Sequence, residues 1–151
     1  MQQRLILIAA LGSALMLAAA FGFQHIGDMA PCKLCLYQRW PHAVAVLIGL
    51  IGALFPHRLL AFCGAAAALS TSAIGAYHAG VEQKWWEGPT TCTSGPISDI
   101  GVKDLLDQIM TAPMVRCDEI PWDMFGLSMA GWNAVISLGL ALIWLAAAQR
   151  K

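Results

Sequence analysis

Four long apolar runs constrain this chain of 151 residues more than any other feature. Hydrophobic residues make up 58% of the sequence and charged residues only 12%, whereas ordinary domains are about half apolar and roughly a quarter charged. Runs of about 18 or more apolar residues indicate transmembrane helices. The sequence therefore predicts an all-α membrane protein, a bundle of four transmembrane helices, and excludes a soluble globular domain.

A single integral membrane domain, residues 1–151, is expected, with spans at about residues 5–23, 35–55, 59–78 and 125–148. The apolar run 43–55 is too short for a bilayer that needs about 20 residues, so its helix is extended back to Cys35. Pro41 removes one helical hydrogen bond and predicts a kink, or a helix that starts there. A signal peptide is the alternative for the first run, because Ala-Ala-Ala at 18–20 resembles a cleavage site, but the run exceeds a typical signal core.

The net charge of zero hides a strong asymmetry along the chain. All nine acids fall in the connections at about 24–34 and 79–124. The short remaining segments carry only the bases Arg4, Arg58, Arg150 and Lys151. By the positive-inside rule both termini face the cytoplasm and both acidic connections face the other side. A lipid bilayer is the expected environment, and no nucleic-acid partner is expected.

The second connection, residues 79–124, is far longer than an ordinary loop, which favours a functional role. Inside it, Val102, Leu105, Leu106, Ile109 and Met110 recur at helical spacing, opposite polar side chains. This pattern predicts a short amphipathic helix. The helix lies flat on the membrane surface or packs on the protein's own outer face.

Four of the five cysteines lie in these two connections, at Cys32, Cys35, Cys92 and Cys117. An oxidising compartment outside the cell membrane permits disulfides there. Cys63, near the inner end of the third span, is expected to have no role, because buried cysteine usually behaves as a small hydrophobe.

Cys32 and Cys35 form a Cys-x-x-Cys motif, and Arg39 follows one helical turn later. A guanidinium held beside a thiol stabilises the thiolate, which is the reactive form. A structural disulfide, or half of a zinc site, would give the same spacing. Because the motif lies at headgroup depth, an electron acceptor for it must be soluble in the membrane, which points toward a quinone. His78, at the outer end of the third span, also suits an interfacial histidine without chemistry.

The Cys-x-x-Cys stretch at 31–39 resembles the signature of the DsbB family, the quinone-linked disulfide bond formation proteins of bacteria. Tyr-His at 77–78, Gly-Pro-Thr-Thr-Cys at 88–92 and the stretch 117–132 are also similar, so the resemblance covers essentially the whole chain. It implies a protein of the bacterial inner membrane whose cysteine-bearing loops are periplasmic. The DsbA–DsbB–quinone system keeps that compartment oxidising.

The resemblance also implies catalytic roles for four cysteines. A Cys92–Cys117 pair would accept electrons from a reduced, DsbA-like periplasmic thiol oxidase, with Cys92 as the sulfur attacked. The Cys32–Cys35 pair would reoxidise it through a transient bridge between Cys32 and Cys117. The activity implied is that of a quinone-dependent protein-disulfide oxidoreductase.

For the cofactor, the resemblance implies ubiquinone or menaquinone. Cys35 would pass the electrons on, Arg39 would polarise a quinone carbonyl, and His78 would lie near the ring. Some members of the family have glutamate where Gln38 stands here, which removes any charge at that position.

Two alternatives remain. Vitamin K epoxide reductase-like proteins share the four-helix bundle and the two cysteine pairs, but their Cys-x-x-Cys follows the loop pair, whereas here it comes first. A membrane metal-binding or assembly protein would use Cys32, Cys35, His25 and His42, since closed zinc sites need four ligands. The resemblance itself implies no metal.

Overall fold

The computed structural model describes residues 1–89 and 115–150. These residues form the helices α1 (Gln2–His25), α2 (Lys33–Leu54), α3 (Arg58–Glu82) and α4 (Met129–Gln149), and the strands β1 (Asp123–Met124) and β2 (Leu127–Ser128). Each of the four helices is long and apolar enough to cross a membrane. The predicted fold class, an all-α bundle of four transmembrane helices, is confirmed. The predicted amphipathic helix at 102–110 lies outside the described residues.

Each helix packs against the next along the chain, and α1 also packs against α4, which closes the bundle. The end of the bundle where α2 and α4 begin carries the two cysteine-bearing connections, and we call it the cysteine end. The opposite end, where α2 runs into α3 through a short turn, carries both chain termini, and we call it the terminal end. Because successive helices run in opposite directions, the first and third connections, which carry the cysteines, lie at the same end of the bundle.

Small residues allow close packing at the terminal end. Trp144 of α4 is fully buried there among the alanines of α1, α3 and α4. Its indole lies against Gly64 of α3, where an added Cβ would approach the ring to 2.5 Å. Only a residue without a side chain leaves room for this tryptophan. Small residues permit this kind of close approach between membrane helices.

The helix boundaries at the cysteine end are set by capping side chains. Cys32 is the N-cap of α2, and its Sγ accepts a hydrogen bond from the backbone N–H of Cys35. The helix therefore begins at Lys33 and continues through Pro41. Likewise α3 continues past residue 78 as far as Glu82.

A tight hairpin precedes α4, so this helix begins at Met129 and not at residue 125. Phe125 and Gly126 form its turn, both with positive φ (54° and 78°), as a two-residue turn of type I′ requires. Ser128 then caps α4, because its Oγ accepts a hydrogen bond from the N–H of Gly131 at 3.1 Å.

Candidate active site

The two cysteines of the Cys-x-x-Cys motif lie in direct contact at the start of α2. The Sγ atoms of Cys32 and Cys35 are 2.9 Å apart, with the Cys32 thiol donating to the Cys35 sulfur. This hydrogen bond, together with burial, raises the pKa of the Cys32 thiol above its ordinary value. Cys32 is therefore the cysteine of the pair that keeps its proton.

Cys117, from the connection between α3 and α4, lies near the same two sulfurs. Cys117 is fully buried and packs in a small cluster with Cys32, Leu34 and Val81, against which Cys35 also packs. Three of the four predicted catalytic cysteines thus lie together at the cysteine end. Cys92 lies outside the described residues, so its pairing with Cys117 stays a prediction.

His78 lies directly beside these sulfurs, with 3% of its surface exposed. The Nε2 atom of Gln38 contacts two groups, the carbonyl oxygen of Leu34 at 3.2 Å and Nδ1 of His78 at 2.9 Å. An amide nitrogen donates both bonds, so Nδ1 of the neutral imidazole is the acceptor and Nε2 carries the hydrogen. That Nε2 lies 3.6 Å from Sγ of Cys32, and His78 therefore presents an N–H donor to this sulfur.

Glu82, one turn beyond His78 on α3, is a buried acid that the sequence analysis assigned to a loop. Its Oε1 lies 3.8 Å from Nε2 of His78, and its Oε2 accepts a hydrogen bond from the hydroxyl of Ser128. An acid inside an apolar helix is costly and usually functional. The sequence would have shown Glu82 as such an acid if the third predicted helix had been extended by one turn past residue 78.

Arg39 lies at the wall formed by α1 and α2. Its Nη1 donates to Oε1 of Gln24 at 2.5 Å and its Nη2 to the carbonyl oxygen of Ala20 at 3.3 Å. The guanidinium also stacks over the ring of Phe21, 4.9 Å from its centroid. These contacts use two of the five guanidinium donors, and they hold the charge at a fixed position on α2.

A cavity of about 660 Å³ opens beside these residues. Its walls are mainly apolar, with side chains from α1, α2, α4 and residues 115–124, and they include Met16, Phe23, Trp122, Met129 and Ile136. The polar groups that reach it are Cys32, Cys35, Gln38, Arg39, His42, His78, Glu82, Arg116, Glu119 and Asn133. A mostly apolar pocket with a few placed polar groups is typical of a small-molecule site.

The metal-binding hypothesis was tested against the same geometry. Among the described residues, Cys32, Cys35 and His78 could hold a metal ion, since their ligand atoms lie within 4.8 Å of one another. His25 and His42, the histidines proposed for that site, do not belong to the group. Moreover, the His78 nitrogen that faces the sulfurs carries a hydrogen, so this tautomer offers a donor there and not a metal ligand.

Taken together, four spans, a Cys-x-x-Cys pair and a third buried cysteine beside an apolar cavity define a multi-pass membrane protein of the thiol–disulfide class. The sequence profile described as "Disulfide bond formation protein DsbB" matches residues 2–147. The chain belongs to this family, the DsbB disulfide bond formation proteins, and is an integral protein of the bacterial inner membrane.

Curated relatives support this assignment over nearly the whole chain. "Disulfide bond formation protein B" of Albidiferax ferrireducens is 31% identical, covering 98% of this chain and 91% of the relative. The protein of the same name from Herminiimonas arsenicoxydans is 35% identical, covering 94% and 92%. "Disulfide bond formation protein B 2" of Pseudomonas aeruginosa is 32% identical over 89% of this chain and 83% of the relative. No solved structure matches the chain.

Proposed function

We propose that this protein reoxidises a periplasmic DsbA-like dithiol oxidase and passes the electrons to a membrane quinone, ubiquinone or menaquinone. The observation that carries the proposal is the position of Cys32 and Cys35. The pair packs in the same small cluster as Cys117 and also lines the apolar cavity. A dithiol that packs with a loop cysteine and lines an apolar pocket is suited to carry electrons from one to the other.

The first half of the reaction is thiol–disulfide exchange. A thiolate of the reduced partner attacks Cys92 of a Cys92–Cys117 disulfide and releases Cys117 as a thiolate. Cys117 then attacks Cys32 of a Cys32–Cys35 disulfide and releases Cys35. The second thiolate of the partner displaces Cys92, which leaves the partner oxidised, and Cys92 reforms its bond to Cys117 and releases Cys32. The net result is one disulfide in the partner and one dithiol at Cys32 and Cys35.

The neighbouring side chains support these exchanges. The Nε2–H of His78, 3.6 Å from Sγ of Cys32, stabilises negative charge on this sulfur each time Cys32 leaves a disulfide. Cys117 and Cys32 are buried in one small packed cluster, which keeps the two sulfurs near each other. Such proximity replaces a bimolecular encounter by an intramolecular one.

The cavity suits a quinone ring. Its apolar walls suit the ring and the first part of an isoprenoid tail, and Arg39 supplies N–H donors for a carbonyl oxygen, four residues from Cys35 on the same helix. When bound, the quinone takes up two electrons and two protons, so the two thiols become the Cys32–Cys35 disulfide.

The deciding experiment measures quinone reduction by the purified protein with a reduced DsbA-like partner. Wild-type protein should turn over, and Arg39→His should raise the KM for quinone while the KM for the partner stays nearly unchanged. A change confined to the partner's KM would assign Arg39 to recognition of the thiol partner instead.

The order of the exchanges is tested with a partner whose resolving cysteine is replaced. Such a partner should be trapped as a mixed disulfide on Cys92, which peptide mass spectrometry identifies. An adduct found mainly on Cys32 or Cys35 would mean that the loop pair is structural and that the reaction has one exchange step.

A further inference from the structure

Glu82 is a buried acid to which the reaction described above gives no role. It is the last residue of α3, and only 7% of its surface is exposed. Its Oε2 accepts a hydrogen bond from the hydroxyl of Ser128. Oγ of Ser128 itself accepts from the N–H of Gly131 at 3.1 Å, so the hydrogen of the hydroxyl is directed to Glu82. A hydrogen bond donated to a carboxylate favours its ionised form.

The cations that line the same cavity are held by other groups. The guanidinium of Arg39 donates to groups of α1, and Nη2 of Arg116 donates to Oδ2 of Asp118 at 2.7 Å. Within residues 1–89 and 115–150, the ionic contact of Glu82 is with His78, whose ring is neutral. The negative charge of Glu82 therefore has no cationic partner in this part of the chain.

His78 lies between this carboxylate and the cysteine pair. Oε1 of Glu82 is 3.8 Å from Nε2 of His78, which is 3.6 Å from Sγ of Cys32. Together these two separations are shorter than the screening length of about 8 Å at physiological ionic strength. The Cys32 thiol donates to Sγ of Cys35 at 2.9 Å, so Cys35 carries the negative charge of the reduced pair. Because these side chains are largely buried, water weakens the repulsion between the two charges only in part.

We propose that the carboxylate of Glu82 sets the redox potential of the Cys32–Cys35 pair, because its charge destabilises the thiolate of the reduced pair and so favours the disulfide. The inference rests on the proposed function and deepens it, since it names a residue that drives electrons from the pair to the acceptor. Glu82 forms no bond to either sulfur and acts through its charge. Arg39, on the same helix as Cys35, has the opposite sign and favours the thiolate.

The electron balance is that of any dithiol and its disulfide. Oxidation of Cys32 and Cys35 forms one S–S bond and releases two electrons and two protons, which convert one quinone into one quinol. A nearby negative charge raises the free energy of the thiolate and leaves that of the uncharged disulfide nearly unchanged. The reduced pair is then a stronger reductant. Transfer to the quinone becomes more favourable, while transfer from Cys117 to the pair becomes less so.

The test is the equilibrium of the full-length, quinone-free protein in lipid nanodiscs with mixtures of reduced and oxidised glutathione, without oxygen. Acid quenching, alkylation and peptide mass spectrometry measure the reduced fraction of Cys32 and Cys35. Glu82→Gln keeps the shape and an acceptor for Ser128 but removes the charge. In this protein the equilibrium constant for reduction of the pair should rise about tenfold at about pH 8, which is about 30 mV. At about pH 6, where more of the pair is protonated, the rise should be about threefold or less.

Two further proteins separate charge from packing. Glu82→Asp keeps the charge but shortens the side chain, and its equilibrium constant should stay within about threefold of the wild-type value. Glu119→Gln is the matched control, because it removes an acid that also lines the cavity. The side chain of Glu119 is 66% exposed and lies 3.6 Å from Arg116, so its loss should leave the equilibrium constant unchanged.

The contrary results are distinct. An unchanged equilibrium constant in Glu82→Gln at the higher pH would overturn the proposal. A rise of the same size at both pH values, or an equal rise in Glu82→Asp, would also overturn it, since either result indicates a packing role. Neither quinone nor partner enters this measurement. Failure of the wild-type protein to reduce a quinone would therefore reject the proposed function, while the glutathione equilibrium would still decide the role of Glu82.

Discussion

The two ends of the bundle differ in the kind of side chain that the same four helices bury. At the terminal end, Trp144 is enclosed by alanines and by Gly64, and close apolar packing holds the helices together. At the cysteine end, the buried side chains are sulfurs, an imidazole and a carboxylate, next to a cavity. This chain thus separates the part that stabilises the fold from the part that carries the chemistry.

The separation has a physical reason. A buried polar group is tolerated only when its hydrogen bonds are made, so each one at the cysteine end constrains its neighbours, as Gln38 constrains His78 and Ser128 constrains Glu82. A cavity also removes packing contacts that would otherwise stabilise the helices. Tight packing at the terminal end offsets both costs.

The largest effect is expected from Cys35→Ser at the cysteine end. A serine hydroxyl forms no disulfide, so partner-driven quinone reduction should be abolished, while the free energy of unfolding should change by less than about 1 kcal/mol. The measurement is quinone absorbance during turnover, together with unfolding in mixed micelles. Cys63, which was expected to be buried, is exposed on α3. Cys63→Ser should keep full activity, and inactivity of this control would show that a thiol outside the cysteine end takes part in the reaction.

Gly64→Ala should reverse this pattern at the terminal end. The new methyl group would overlap the indole of Trp144, and overpacking of this kind costs about 1–3 kcal/mol. The KM values for quinone and partner should stay close to those of the wild type. Gly139→Ala on α4 is the matched control, because an added Cβ there meets nothing within 4 Å, and a comparable loss of stability in that protein would contradict the assignment.

A third prediction compares the pH at which the Cys32 thiol loses its proton in the folded and in the unfolded protein. Because the pKa of Cys32 is raised in the fold, its thiolate should form only at a higher pH than in the unfolded chain. At a pH near the ordinary thiol value of about 8.5, alkylation of Cys32 in reduced, folded protein should be at least about tenfold slower. Mass spectrometry across a pH series measures this. Equal midpoints in the two states would show that access alone limits the reaction.

The smallest effect compares helix caps at the two ends. Ser128 caps α4 and also donates to Glu82, so Ser128→Ala should cost about 1–2 kcal/mol. His57 caps α3 at the exposed turn, where its Nδ1 accepts from the N–H of Leu59. His57→Ala should cost less than about 0.5 kcal/mol. Equal costs in denaturation experiments would show that the link to Glu82 adds nothing.

The helices and the cysteines could be predicted from the sequence because their signals are local. Apolar runs predict the membrane-spanning helices, and the spacing from Cys32 to Arg39 predicts that these side chains lie near one another on one helix. The contacts of His78 and His42 could not be predicted. They depend on partners 40 and 91 residues away, Gln38 and Asn133, whose approach is decided only when the helices pack. The boundary of α4 was also missed, because the hairpin before it needs Phe125 in a conformation with positive φ, which is uncommon for a bulky residue.

The sulfur that caps α2 makes the first turn of this helix sensitive to the bond that Cys32 forms. The backbone N–H of Cys35 donates to Sγ of Cys32 at 3.2 Å, and this geometry requires the sulfur to stay above the start of the helix. When Cys32 is bonded to a cysteine of the other connection, the sulfur is drawn toward that partner and the amide loses its acceptor. Hydrogen exchange of the Cys35 amide should then be faster in such an intermediate than in the protein with a free Cys32.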